Sequence, residues 1–369
     1  MKQPDFCCIF NIGPHYREPI YMAIAKQFEC HFYFGDKVAT EIKTFDYNKL
    51  PGFQKELKRK NLFGGFSWLK GIMGLSSKPY KTFIVTGEPF CLSIWLFAIL
   101  CRLKNKRVIA WTHGLYGKEN LLRKIIKIAF FKLFSHILTY NEYSRNLMIK
   151  EGFKADRISC IANSLNSNYQ KEIRNTLKKT DIYSSHFGND LPVILYCGRI
   201  QKVKKLDILI YCTKKLNDEG IKCNLVFVGK DVDNVNISQL IKDRNIENHV
   251  WEYGPCYEES KLGELFYNAA VCVSPGNVGL TAIHSLTYGC PVITHDNFSM
   301  QMPEFEAIEN GVTGSFFKEN CTEDLIGKIK IWIKKTDRER EQARINAFKE
   351  IDRKWNIDYQ IEVIKESIN

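Results

Sequence analysis

The sequence predicts an α/β protein built from two parallel-sheet halves. Three observations lead there. Apolar strand-like runs alternate with helix-period segments from end to end, the pattern of parallel sheets covered by crossover helices. A polar stretch, Lys171–Leu191, interrupts the alternation, contains Lys178-Lys179, Ser184-Ser185 and Gly188-Asn189, and gives way at Pro192 to a new apolar strand; it reads as an interdomain linker. The chain has 369 residues, and at roughly 100 to 200 residues per domain that length favours two domains.

Taken in order, the strands expected in the first half are Phe6–Ile12, Cys30–Phe34, Thr82–Thr86, Arg107–Thr112, His136–Tyr140 and Ile158–Ala162. Each is a short run rich in β-branched, aromatic or Cys residues, bounded by polar or turn-forming ones. In the second half they are Pro192–Cys197, Cys223–Val228, Val250–Tyr253, Val271–Ser274 and Pro291–Thr294. The expected division is a domain over residues 1–170, a linker over 171–190, a second domain over 191–350, and a C-terminal helix within 351–369. Ligands of open parallel sheets lie beyond the carboxyl ends of the strands, so two such sheets facing each other would enclose a cleft.

Composition excludes several classes. Hydrophobic residues make up 45% and charged residues 25%, with 23 Gly and 11 Pro, so the chain is neither disordered nor collagen-like. The apolar run Phe90–Leu100, broken only by Ser93, falls well short of the roughly 18 to 20 residues that cross a bilayer. Phe6–Phe10 is too brief for a signal-peptide core and no small-residue cleavage site follows it, so a cytoplasmic protein is expected. The thirteen cysteines are odd in number, include the adjacent Cys7 and Cys8, and form no Cys-x-x-Cys. Buried reduced thiols are therefore expected rather than a disulfide framework or structural zinc. The net charge of +12 is uneven: through Ser185 there are 30 Lys+Arg against 14 Asp+Glu, while the remainder is mildly acidic. That asymmetry points the first half towards an anionic partner, such as nucleic acid, a membrane surface or a phosphorylated substrate, although solubility alone accounts for part of it. No recognisable nucleic-acid module accompanies the basic residues, so nucleic acid ranks below the others.

Two loops carry phosphate chemistry. Strand Val193–Cys197 runs into Gly198-Arg199, and Lys204 follows before the helix-like Leu206–Leu216. Such a pair can aim two cations at one anionic group, or can be ordinary solvated loop residues. Strand Val271–Ser274 is followed by Pro275-Gly276-Asn277-Val278-Gly279 and a helix-like run from Leu280 to Gly289. Glycines ahead of a helix N-terminus let a phosphate approach free N–H groups, and they equally serve a plain strand-turn-helix connection.

Together these pieces resemble the retaining nucleotide-sugar glycosyltransferases of family 4, which have the GT-B fold of two Rossmann-like, doubly wound domains facing each other across a cleft. The resemblance rests on LYCGRIQKVKKLDILI, NLVFVGKD, VWEYGPCYEESKLGELFYNAAVCVSPG, VGLTAIHSLTYGCPVITHD and MPEFEAIENGVTGSFF, in family order and at family spacing. It implies that Arg199 and Lys204 hold the donor diphosphate, that Gly279 and Leu280 add backbone donors, and that Trp251–Pro255 borders the base. The first half resembles the family less closely. Gly13-Pro14-His15-Tyr16-Arg17-Glu18-Pro19 matches the first loop facing the cleft, which makes Gly13 and His15 expected substrate contacts, and His113, after a strand end, matches a His near the reacting sugar carbon. A histidine suits holding a hydroxyl or developing charge, and a loop-packing role is its alternative. Glu88 also follows a strand, where capping of the next helix explains it equally well.

Lys118–Phe134 (KENLLRKIIKIAFFKLF) is the clearest amphipathic segment. On a helical wheel Arg123, Lys124 and Lys127 form a basic arc that also contains Phe131 and Phe134. Aromatics among cations suit a helix lying in the headgroup region of an anionic bilayer, and a core helix with a solvated basic edge fits the wheel equally.

The expected protein is thus a metal-independent, retaining glycosyltransferase without a cofactor. It would move a sugar from a nucleoside diphosphate to a glycan or lipid-linked glycan in surface polysaccharide assembly, as a peripheral protein on the inner face of the cell membrane. By the same resemblance, Trp355–Ser367 would cross back onto the first domain. A nucleotide-sugar 2-epimerase of the same fold and a catalytically silent binding protein remain alternatives. One departure stands out. The family motif has two glutamates eight positions apart, the first on the donor sugar and the second on the ribose; here those positions are Gly276 and His284. A neutral imidazole can still bond a ribose hydroxyl, and Asp296 and Glu304 are the nearest substitute acids for the sugar.

Overall fold

The computed structural model describes residues 4–38 and 42–368. The chain forms two compact units, residues 4–166 with 357–368, and residues 167–356. Each is built on a parallel sheet. In the first unit the strands are β1 (Phe6–Phe10), β2 (Cys30–Gly35), β3 (Phe53–Leu57), β4 (Arg59–Asn61), β5 (Ser67–Leu69), β6 (Thr82–Thr86), β7 (Arg107–Thr112), β8 (His136–Thr139) and β9 (Ile158–Cys160). Seven of them pair in the order β3-β2-β1-β6-β7-β8-β9, and β4 and β5 form a small antiparallel pair. Successive side chains of a strand point to opposite faces. Accordingly Cys7 and Ile9 enter one core cluster, with Phe83 and Phe97, while Phe6, Cys8 and Phe10 enter another, with Phe32 and Trp111. A strand covered on both faces reads as an unbroken apolar run, which is why FCCIF shows no alternation.

The second unit has β10 (Val193–Cys197), β11 (Asn224–Val228), β12 (Val250–Gly254), β13 (Val271–Ser274), β14 (Val292–His295) and β15 (Gly314–Phe317), all parallel, in the order β12-β11-β10-β13-β14-β15. In both sheets the connections run outward in opposite directions from a central pair, β1/β6 in one and β10/β13 in the other. At that switch of direction the loops part and leave a crevice beyond the strand ends.

The stretch 171–190, expected as a linker, is half helical and belongs to the second unit. Ser167–Arg174 and Ile182–Phe187 are helices; Arg174 is ion-paired with Asp352, and the Tyr183 hydroxyl donates to Leu265 O at 2.6 Å. Local polarity marked an exposed face there rather than a free tether. At the C-terminus the long helix Asp337–Lys354 belongs to the second unit and the chain turns at Trp355-Asn356. The last helix, Ile357–Ile368, packs in the first unit. There Gln360 accepts from Ser164 Oγ at 2.6 Å and donates to Ala162 O at 3.1 Å, and the Arg107 guanidinium donates to the carbonyls of Ser367 and Ile368. All thirteen cysteines are free thiols and ten are buried. Among the described residues no helix is long and apolar enough to cross a membrane.

Candidate functional site

At the switch point of the second sheet, two loops meet. One leaves β10 through Gly198-Arg199 to the short turn Lys202–Lys204; the other leaves β13 through Pro275–Gly279 into the helix Leu280–Thr287. The loops touch because residue 276 has no side chain. Its N–H donates to Lys204 O at 3.0 Å, and a Cβ there would stand 2.1 Å from Val203 O and 2.7 Å from Lys204 Cα. Lys204 Nζ donates to Asn277 O at 2.6 Å and to Asn277 Oδ1 at 2.8 Å. Burial and, after it, the charge of Arg199 pull the Lys204 pKa down to about 8, against a smaller opposing pull from Glu304. The ammonium therefore sits where an incoming anion would relieve both effects. Arg199 itself is exposed and makes no ion pair among the described residues.

The helix N-terminus completes this crevice. Gly279 occupies the N-cap position and offers no side-chain cap, so first-turn N–H groups and the positive end of the helix are left for a ligand. The loop ahead of it is pinned: Val278 N–H donates to Gln301 Oε1 at 2.7 Å, and Gln301 Nε2 donates to Thr294 Oγ1 and His295 O at 2.9 Å. Thr281 Oγ1 ties the helix to the end of β10 through Cys197 O at 3.0 Å. Arg199, Lys204, Gly276, Gly279 and Leu280 are thus brought to one crevice.

The other expected donor contacts divide. His284 Nε2 lies 2.6 Å from Glu259 Oε1, which also accepts from the Tyr288 hydroxyl at 2.7 Å and Gln170 Nε2 at 2.8 Å. Burial alone would raise the Glu259 pKa, yet these bonds, that of His284 foremost, hold it down to about 2. The imidazole expected to face a ribose is thus already engaged, and the anchored carboxylate of Glu259 was not anticipated from the sequence. Asp296 is exposed and its Oδ1 accepts from the Glu319 N–H at 3.0 Å, the role of a turn residue. Glu304 is buried within the electrostatic reach of Lys204. The sequence also holds one Asp-x-Asp spacing, Asp231-Val232-Asp233. Both carboxylates bond backbone N–H groups, Asp231 those of Asp233, Val235 and Asn236, and Asp233 that of Lys202.

The first unit has its own cavity, of about 820 Å³, beyond the carboxyl ends of β1, β6 and β7. Its wall includes Asn11, Tyr16, Arg17, Glu88, Trp111 and His113. His113 follows β7, its ring centroid 4.7 Å from that of Tyr140 and 5.9 Å from that of Tyr116. Burial, then the nearby Arg17 and Lys127, lower its pKa to about 4, and its Nδ1 is buried without a hydrogen-bond partner. At neutral pH it is an uncharged imidazole, able to hold a hydroxyl and unsuited to act as a general acid. Glu88 caps no helix: Asn11 Nδ2 donates to it at 2.8 Å and Arg59 forms an ion pair with it.

Gly13 and His15, expected as substrate contacts, are absent from that wall. The Gly13 N–H donates to the Tyr47 hydroxyl at 2.9 Å beneath Phe45 and Phe34, and His15 is exposed against Lys43 O. The loop instead presents Asn11, Tyr16 and Arg17, because the short 3-10 turn His15–Arg17 swings Arg17 under Trp111 and Tyr140.

The amphipathic helix spans Leu121–Phe131, with the Asn120 side chain as its cap. Its faces differ from the expected ones. Phe131 and Phe134 are 1% and 4% exposed, packed in the core beside Phe130. Lys127 is buried, paired with Glu119 at 2.7 Å and bonded to Gly114 O, and Lys124 is paired with Glu151. Arg123 is exposed, and the outward apolar residues are Leu121, Leu122 and Ile125, at 72%, 69% and 54%.

Residues 178–350 match the family model described as Glycosyl transferases group 1. Alpha-D-kanosaminyltransferase of Streptomyces kanamyceticus is 24% identical over 187 residues, which span 48% of this chain and 46% of that relative. The match thus covers about half the length of the curated relative. Among solved structures, Anabaena Alr3699/HepE in complex with UDP is similar with a TM-score of 0.75 at 14% identity, over 99% of both chains. The lipopolysaccharide outer core galactosyltransferase WaaB, apo form, is similar with a TM-score of 0.69 at 14% identity, over 98% of both chains. Likeness at such identity carries fold and not function. The chain has the two-sheet architecture of GT-B glycosyltransferase structures, and its residues 178–350 form a glycosyl transferases group 1 domain.

Proposed function

We propose that this protein is a glycosyltransferase that moves a sugar, with retention, from a nucleoside diphosphate to an acceptor hydroxyl. The observation that carries this reading is the crevice where Lys204, Arg199 and the uncapped helix N-terminus at Gly279-Leu280 converge. A leaving diphosphate gains charge as the glycosidic bond breaks, and preorganised cations and N–H dipoles stabilise that charge more than they stabilise the bound donor. The acceptor oxygen bonds to the anomeric carbon on the face the diphosphate leaves, and its proton passes to a leaving phosphate oxygen. No metal ion or cofactor enters this scheme. Glu304, buried near Lys204, is the substitute acid that the geometry favours for the donor sugar over Asp296. The donor is read as a UDP-sugar, since the similar Anabaena structure is a complex with UDP.

The acceptor is read as a glycan or lipid-linked glycan used in surface polysaccharide assembly, handled at a membrane. Exposed Leu121, Leu122 and Ile125 support the membrane reading, as does a second exposed stripe of Leu92, Leu96, Ile99 and Leu103 on the helix Leu92–Leu103. The two helices adjoin through the rings of Trp95 and Phe130, 5.2 Å apart. Apolar side chains of this exposure beside basic ones suit the headgroup region of an anionic bilayer.

The test is nucleoside diphosphate release from a panel of UDP- and GDP-sugars, with and without glycan acceptors. One donor should turn over in the wild type and not in the Arg199→Ala/Lys204→Ala double variant. Equal turnover in both would refute the donor assignment, and conversion of the donor to another nucleotide-sugar without release would identify an epimerase.

A further inference from the structure

Among the described residues, the cavity of the first unit holds more positive charge than acidic side chains neutralise. Three cations line it: Arg17, Arg59 and Lys127. Arg59 is ion-paired with Glu88, and Lys127 with Glu119. Arg17 has no ion pair among the described residues; its guanidinium lies 4.8 Å from the Tyr140 ring centroid and 5.3 Å from that of Trp111, over both ring faces. A guanidinium stays charged at every accessible pH. The ring faces and the hydroxyls of Tyr140 and Tyr21, to which it is hydrogen-bonded, hold this one in place, and none of the carboxylates of the described residues pairs with it, although its fork matches a carboxylate or phosphate. Withdrawing a cation from water without a counter-charge is costly, so an uncompensated one facing a cavity marks a place for an anion. A second observation agrees. Trp111 Nε1 and His113 Nδ1, both on residues of the same wall, are buried without hydrogen-bond partners, whereas buried polar atoms are almost always bonded.

We propose that this cavity binds an anionic ligand, a phosphate or carboxylate group held by Arg17, with Trp111 and His113 supplying further hydrogen bonds. In calling that ligand the acceptor the proposal rests on the glycosyltransferase reading; the anion site itself does not. An acceptor of this class carries its charge either on a lipid phosphate or on an acidic sugar, next to the hydroxyl that receives the transferred sugar. The Glu88 carboxylate on the same wall is held by Arg59 and Asn11, so among the described residues Arg17 is the lining cation without a carboxylate partner.

Saturation-transfer NMR and calorimetry on the full chain, without nucleotide, test this with two matched pairs of probes. Methyl glucuronide is compared with methyl glucoside, and octyl phosphate with octyl glucoside. At least one anionic probe should bind about tenfold or more tightly than its neutral counterpart, the scale of one charge-assisted bidentate contact, and the pair that shows it identifies the source of the charge. Arg17→Gln should erase the preference and Arg17→Lys should retain part of it, with thermal melting confirming that both fold. Equal binding of anionic and neutral probes by the wild type overturns the proposal without recourse to any variant, and so does a preference that survives in Arg17→Gln. Since no donor is present, a negative result here leaves nucleotide-sugar turnover as a separate question.

Discussion

Lys204 offers a prediction that can be worked from its surroundings. Burial and Arg199 bring its pKa to about 8, so the free protein carries this charge on about 90% of molecules at pH 7 and on about 10% at pH 9. If the diphosphate binds the ammonium form, apparent affinity should fall about tenfold over that interval, or about 1.4 kcal/mol. The ligand contributes little slope of its own between pH 7 and 9, since a terminal phosphate with a second pKa near 6 is already about 90% ionised at pH 7. Calorimetric titration of UDP between pH 6.5 and 9.5 reads the effect directly. Lys204→Met should bind weakly with little dependence on pH, and Arg199→Ala should shift the midpoint upwards by removing the repelling charge. A flat wild-type profile, or a slope that persists in Lys204→Met, would refute the placement of Lys204 against the diphosphate.

Other outcomes follow from the same geometry. Arg199→Ala should lower sugar transfer by about 10² to 10³, the scale of one electrostatic contact to developing charge in the proposed reaction, while leaving the melting temperature near wild type, since Arg199 is exposed. Gly276→Ala should cost about 1 to 3 kcal/mol in denaturant unfolding and weaken UDP binding, because its Cβ collides with Val203 O and parts the two loops. Glu304→Gln should reduce turnover and spare UDP binding, whereas Asp296→Asn should leave both near wild type; the reverse pattern would reassign the substitute acid. Glu259 has a folded pKa below its unfolded value, so its stabilising contribution is present above about pH 4.5 and is lost as pH falls towards 2; acid unfolding of Glu259→Gln should lack that component. Leu121→Ser/Leu122→Ser/Ile125→Ser should abolish sedimentation with anionic vesicles, and unchanged sedimentation would return this face to plain solvent exposure.

How much of this was legible in the sequence depended on whether local pattern or tertiary contact decided the outcome. Thr82–Thr86, Arg107–Thr112 and Val271–Ser274 form strands over the expected residues, because strands buried on both faces announce themselves as short β-branched and aromatic runs. The edge strand Phe53–Leu57 gave no such signal: FQKEL is mostly exposed and pairs only with β2. Gly314–Phe317 is glycine-led and contains no β-branched residue, so it did not stand out. Among candidate site residues, Arg199, Lys204 and Gly279 stood out in the sequence because they lie in the loops that follow strand ends. Arg17 did not, since the rings that hold it, Trp111 and Tyr140, are far away in sequence. The helical wheel failed at Lys127 because it treats every lysine as outward, while Glu119 and Gly114 O compensate this one inside. Phe134 lies beyond the helix, which ends at Phe131, so its place on the wheel had no physical meaning. At Gly276 sequence alone showed a missing acid; the structure shows a close approach of two backbones that excludes any side chain.

The donor assignment depends on where the diphosphate binds. A crystal structure of the full chain with UDP tests this most directly. The β-phosphate should lie within hydrogen-bond distance of Lys204 Nζ, the Arg199 guanidinium and the Leu280 N–H, and an ordered UDP bound elsewhere, or none at saturating UDP, would contradict the donor assignment.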